Sequence, residues 1–221
     1  PVARRLGVAE PNRRGILFAG ADSFVRAVAQ ALQDEGCQVM LVDTNQHNIS
    51  TARMAGLPTC YASVLSEHVL EELELGGIGR LLAMTPNDEV NSLAAMEFID
   101  VFGRVGVYQL SPEVADTVRQ SQVSSHLRAR ILFGRDVTSA RLRFRLATGA
   151  TIKKTKLSDE FDFDRFRELY GESSVVLFVI DPSGEVTICT SDKDPAPTSG
   201  QTLVSLVDPV SETATNGDVL S

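Results

Sequence analysis

The chain has 221 residues, 43% of them apolar, a formal charge of −8 and a mean hydropathy near zero. These values describe one or two soluble domains able to bury a core, and they argue against a nucleic-acid partner, because no basic stripe long enough to neutralise phosphates is present. No apolar run approaches the roughly 20 residues that a bilayer span needs.

In chain order, residues 1–14 carry Arg4, Arg5, Arg13 and Arg14 around a proline without periodicity, and read as a linker arm. With Pro1 in first place and no charged-then-apolar leader after it, the chain is expected to be an excised fragment rather than a secreted protein. Gly15 to Ala19 is a short apolar strand ending at Gly20, and Phe24, Val25, Val28, Ala29 and Leu32 then recur at helical spacing. Gln38 to Val42 is a second buried strand, closed by Asp43. A helix over 45–56 ends in glycine, and a third strand covers 57–63. Ser66 to Leu75 reads as a third helix, with Val69, Leu70 and Leu73 on one face. Gly79 to Thr85 is a continuous apolar strand of the kind covered on both faces. The helix predicted over 87–102 should bury Leu93, Ala94, Ala95, Met96 and Ile99, and a fifth strand over 105–110 and a helix over 112–127 follow. Five alternations of strand and helix, joined by right-handed crossovers, predict a Rossmann-like doubly wound parallel sheet over 15–135.

The rhythm then changes. Arg141, Arg143 and Arg145 alternate with Leu142, Phe144 and Leu146, a two-residue period that predicts a strand with one basic face. Strands over 151–157, 175–181, 185–190 and 202–208 and a short helix over 162–170 complete a small antiparallel α+β unit spanning 136–210. The turn Asp181-Pro182-Ser183-Gly184 joins two of its strands. Residues 211–221 are expected to be a disordered tail.

For chemistry, the opening strand, glycine turn, helix, strand and acidic residue form a nucleotide-binding βαβ signature with two of its three glycines replaced, by Asp22 and Val25. Asp43 follows Gly20 by 23 positions, where a carboxylate is expected to take a ribose hydroxyl pair. Asp22 stands where the first helix begins, so its carboxylate is expected to cap the free N–H groups, occupy the seat a phosphate would use, and repel a diphosphate. Thr85 and Asn87 end the fourth strand at the same sheet edge, where helix capping explains the polar residues nearly as well as ligand contact.

Cys37, Cys60 and Cys189 are odd in number and widely spaced, which fits buried thiols in a reducing compartment rather than a disulfide scaffold. His47, His68 and His126 lack metal-ligand spacing, and Asp159, Glu160, Asp162 and Asp164 lack the glycine and terminal glutamate of a calcium loop, so no metal is expected. Tyr-x-x-x-Lys, G-x-S-x-G and P-loop patterns are absent, which favours a binding or regulatory module over an enzyme.

In combination, GILFAG at 15–20, LVDTN at 41–45, ARMAGL at 52–57, LLAMTPNDEVN at 81–91 and GQTLVSLVDP at 200–209 resemble the cytoplasmic regulatory domains of monovalent-cation channels and antiporters. These are of the RCK or TrkA-N type with a TrkA-C-like unit behind, and the likeness looks nearest to the tails of sodium/proton antiporters. The resemblance implies nucleotide sensing, with NAD(H) or an adenine nucleotide as ligand, on the cytoplasmic face of a membrane. It implies a transporter domain in the same polypeptide, and pairing with a second copy as a homodimer. Gly20 and Ala21 then match the phosphate turn, Asp43 with its neighbour Thr44 the ribose contact, and Thr85 with Asn87 the edge of the fourth strand; Asp22 departs from the motif. Ala62 and Ser63 stand where the family usually shows Gly-Asp. The alternatives are a dimerisation scaffold that has lost its ligand, and an NAD(P)-dependent oxidoreductase.

Overall fold

A computed structural model describes residues 13–69, 75–113, 129–193 and 195–209. Strands β1 (Gly15–Ala19), β2 (Val39–Asp43), β3 (Thr59–Tyr61), β4 (Ile78–Ala83), β5 (Val107–Gln109) and β6 (Arg130–Ile131) form one sheet in the order β3-β2-β1-β4-β5-β6. All five pairings are parallel. The order reverses direction between β1 and β4, because the chain lays down β1, β2 and β3 outward and then returns to the other side of β1. Alternate residues of β1 enter two separate cores: Ile16 and Phe18 join one, Leu17 and Ala19 the other. This is why the strand is apolar throughout.

Helices α1 (Ser23–Asp34), α2 (Gln46–Met54) and α3 (Asp88–Phe102) each start on a side-chain cap, Asp22, Asn45 and Asn87 respectively. α3 departs from its expected face. It buries Asn91, Ala94, Ala95 and Phe98, while Leu93 is 49% and Met96 43% exposed. The small residues let the helix lie close to β4, and Phe98 supplies the bulk that Leu93 and Met96 were expected to give.

The second sheet is antiparallel, in the order β7-β10-β8-β9, with β7 (Thr151–Lys156), β8 (Val175–Ile180), β9 (Val186–Ile188) and β10 (Thr202–Val207). Helix α4 (Ser139–Ala147) precedes it and α5 (Phe163–Tyr170), capped by Asp162, lies within it. The α4 segment corrects the strand expected from the alternating arginines. Thr138 caps it by accepting the Arg141 N–H at 3.3 Å, Leu142 is its buried apolar contact, and Phe144 is 68% exposed, so helical spacing overrides the two-residue pattern.

The sixth strand, β6, is the other element absent from the sequence reading. Beyond it Phe133 adopts φ +62° and stacks edge-on against Phe178 of β8 at 5.6 Å, carrying the chain into the second unit. Of the helix predicted over 66–75, residues 66–69 and 75 are described and 67–69 are helical; the helix predicted over 112–127, with His126, lies outside the described residues beyond 113. So do most of the arm and all of the tail.

Candidate functional site

In an open parallel sheet, ligands enter at the carboxyl ends of the strands where the order reverses, here between β1 and β4. A cleft of about 570 Å³ opens at that place, within the size range of ligand sites. The residues singled out from the sequence all line it: Gly20, Ala21 and Asp22 after β1, Asp43 and Thr44 at the end of β2, Thr85 and Asn87 after β4. Asn48 of α2, Ser63 after β3 and Arg143 of α4 join them.

The turn after β1 is built for close approach. Gly20 has φ +111°, its N–H donates to the Val42 carbonyl at 2.8 Å, and a Cβ there would meet the Met84 carbonyl oxygen at 3.2 Å. The following residue, Ala21, donates its N–H to Asp43 Oδ2 at 2.8 Å, and Arg26 Nη1 donates to the Ala21 carbonyl at 2.7 Å. Asp22 then caps α1, its Oδ1 accepting the Val25 N–H at 3.0 Å. Burial pushes the Asp22 carboxyl above the ordinary carboxylate range, against the pull of the Val25 N–H and the Arg143 guanidinium. Arg143 Nε lies 4.0 Å from Asp22 Oδ2, a charge pair too long for a hydrogen bond.

On the β2 side the Asp43 carboxylate has three donors: Ala21 N–H and Asn48 Nδ2 (3.0 Å) on Oδ2, and Asn45 N–H (2.8 Å) on Oδ1. On the β4 side the buried Asn91 side chain accepts from Thr85 N–H at 2.9 Å and returns its own amide to the Thr85 carbonyl at 2.9 Å. Asn87 Oδ1 takes the N–H groups of Glu89 and Val90, so the capping role weighed for it is made. Every one of these groups is therefore held in place by the protein. A ligand would meet a preformed wall whose turn amide and first helix start are already engaged by carboxylates.

That wall fits half of a dinucleotide. Polar groups at the ends of β2 and β3 suit a nucleoside, whereas a diphosphate on the N-terminus of α1 would share its seat with the Asp22 carboxylate. Among the described residues, no group of three or more His, Cys, Asp or Glu side chains is placed to hold a metal ion.

Asn48, Asn91 and Arg143 were not anticipated from the sequence. Asn48 stands five positions after Asp43 and Asn91 six after Thr85, each one helical turn past a cap, a spacing that does signal a return contact. Arg143 had a signal only in Thr138, a cap residue preceding Leu142 and Leu146 at an i, i+4 interval. A second hollow of about 220 Å³ beside α4 is lined by Arg135, Arg141 and Arg145, of which Arg145 pairs with Asp208 at 2.9 Å and Arg141 donates to the Asp136 carbonyl.

Strand order, glycine turn and the carboxylate closing β2 define a Rossmann-like domain. Residues 16–121 match the family model of the TrkA-N domain. Among solved structures, the NAD(P)-binding domain of an exopolyphosphatase-related protein from Archaeoglobus fulgidus is 16% identical, with 61% of this chain and 95% of that one covered and a TM-score of 0.45. The GsuK RCK domain is 15% identical over 94% of this chain and 49% of that one, with a TM-score of 0.44. The GsuK channel bound to NAD is 15% identical over 93% and 40%, with a TM-score of 0.45. The chain thus spans about half the length of the RCK-domain chain and two fifths of the channel chain. No curated protein sequence matches it. Among the described residues no helix is long and apolar enough to cross a membrane.

Proposed function

We propose that the chain is a ligand-sensing regulatory domain of a monovalent-cation/proton antiporter, taking an adenine nucleotide in the cleft at the ends of β1, β2 and β4. The observation that carries this reading is the cleft itself, a preformed hollow at the reversal point in the stretch that matches the TrkA-N model, walled by Gly20, Ala21, Asp43, Thr44, Thr85 and Asn87. The reading divides the chain into an arm (1–14), the nucleotide unit (15–135), a TrkA-C-like unit (136–210) and a tail (211–221). It places the chain as a homodimer on the cytoplasmic face of a membrane, tethered to a transporter domain of the same polypeptide. Control follows if the nucleotide binds two arrangements of the dimer unequally, since equal affinity would move nothing.

One observation favours the scaffold alternative: Asp22, Asp43, Thr85 and Asn87 all have protein partners already. Calorimetry with NAD, NADH, AMP, ATP and cyclic dinucleotides, beside sedimentation, separates the two. Saturable heat with an adenine nucleotide supports sensing. A stable dimer giving no heat with any of them is the scaffold, and NADH oxidation in the presence of small carbonyl compounds would make the domain an oxidoreductase.

A further inference from the structure

Resting on that reading, we propose that Arg143 is the phosphate-binding residue of the cleft and sets its preference for a nucleoside bearing one terminal phosphate over a dinucleotide. Arg143 is the one basic side chain among the described residues that line the hollow. It arrives from α4, outside the stretch that matches the TrkA-N model, and stands across from Asp22 at the mouth of the glycine turn. The ordinary phosphate seat on α1 is closed, because Asp22 Oδ1 holds the Val25 N–H. A bridging diphosphate needs that seat on both sides of its linkage, whereas a terminal phosphate turns outward, away from the turn and toward the guanidinium.

The geometry leaves Arg143 available for this. Its Nε is 4.0 Å from the nearer Asp22 oxygen, beyond hydrogen-bond range, and 44% of its side chain is exposed. A guanidinium presents a planar fork of donors that matches two phosphate oxygens better than it matches a carboxylate already committed to capping a helix. At the other end of the hollow, Thr44, Asn45 and Asn48 surround Asp43 with neutral polar groups suited to sugar hydroxyls. Ligand binding then transfers Arg143 from Asp22 to the phosphate, and with it one tether between α4 and α1.

The test is calorimetry of the 221-residue chain and its R143A variant with adenosine, AMP and NAD, with thermal melts of both proteins alongside. The wild-type chain should bind AMP at least about tenfold more tightly than adenosine, the order expected of a charge-assisted pair, and more tightly than NAD. R143A should lose most of that advantage while its adenosine affinity stays within about twofold and its melting midpoint barely moves, since the side chain is half exposed. An AMP advantage that survives in R143A, an equal fall for adenosine and AMP, or wild-type NAD binding as tight as AMP binding overturns the inference while leaving nucleotide sensing intact. Absence of binding for all three ligands in the wild-type chain refutes this inference, and absence of heat with NADH, ATP and cyclic dinucleotides as well refutes the sensing reading.

Discussion

The Asp22 carboxylate carries two separable effects, a helix cap and a charge, and Asp22→Asn removes only the second. Its Oδ1 accepts the Val25 N–H at 3.0 Å, a bond that an asparagine oxygen makes equally well, whereas Asp22→Ala forfeits the cap. The alanine variant should therefore lose about 1 kcal/mol and melt about 2–4 °C lower, as expected for a chain of this size. For the charge, a phosphate seated on α1 would lie about 5 Å from the carboxylate, where two unit charges at an effective dielectric of about 20 repel by about 3 kcal/mol. Arg143 at 4.0 Å and the 20% exposure of the Asp22 side chain offset part of that. Asp22→Asn should then bind NAD about ten- to a hundredfold more tightly by calorimetry, with its melting midpoint at neutral pH equal to the wild type or higher.

The pH dependence has a definite sign. Burial raises the folded-state pKa of Asp22 above the unfolded value of 3.8, so the folded chain holds this proton more tightly than the unfolded one. Its contribution to stability is fully present below the unfolded value and is lost as pH rises through the raised one. The stability margin of Asp22→Asn over the wild type should accordingly appear above that window and vanish below it. NAD affinity that is unchanged or weaker in Asp22→Asn would refute the account of the turn.

Two further perturbations probe the rest of the molecule. Asp43→Asn keeps one acceptor oxygen but turns an amide donor toward Ala21 N–H or Asn45 N–H, and chemical denaturation should show a loss of about 1–3 kcal/mol; an unperturbed midpoint would mean that the carboxylate does not hold the turn. Burial pushes the Cys189 thiol up to about 12, so alkylation mapped by mass spectrometry at pH 8 should mark it only in denaturant. Labelling at equal rates in folded and unfolded protein would contradict its burial.

The parallel sheet was legible because its signals are local. β1 and β2 are short apolar runs, β4 is one interrupted by Arg80, and Asp22, Asn45 and Asn87 mark helix starts by residue type alone. β6 is two residues long and carries no pattern to read. α4 failed for a different reason: arginine–apolar alternation has a period of two, but Leu142 is fully buried, Leu146 one turn later only partly, and Phe144 between them is exposed, so the pattern did not report burial. The cleft wall was readable because topology sends the end of every strand to one edge. Arg143 was not, because it meets Asp22 only after the second unit folds back against α1, more than a hundred residues later in the chain.

That fold-back limits how any ligand acts through the second unit. Phe18 and Leu32 of the parallel layer share one continuous core with Leu142, Leu177, Phe178 and Leu206, so the principal join between the two sheets is apolar. The rim ion pairs of Lys154 with Asp34 at 3.4 Å and Glu35 at 3.0 Å lie at exposed positions, where solvent screening leaves them a minor part of the join. Throwing a two-state equilibrium from one extreme to the other needs about 5.5 kcal/mol of differential affinity, whereas one arginine–phosphate contact supplies about 1.5–3. On the proposed reading, transfer of Arg143 from Asp22 to a phosphate biases α4 by at most about a hundredfold, because the Asp22 pair is given up in exchange, and it does not separate the layers. The response of this cleft, on that same reading, is a graded shift of the second unit's packing, and an all-or-none transition would require a second copy of the chain to add its own differential contacts.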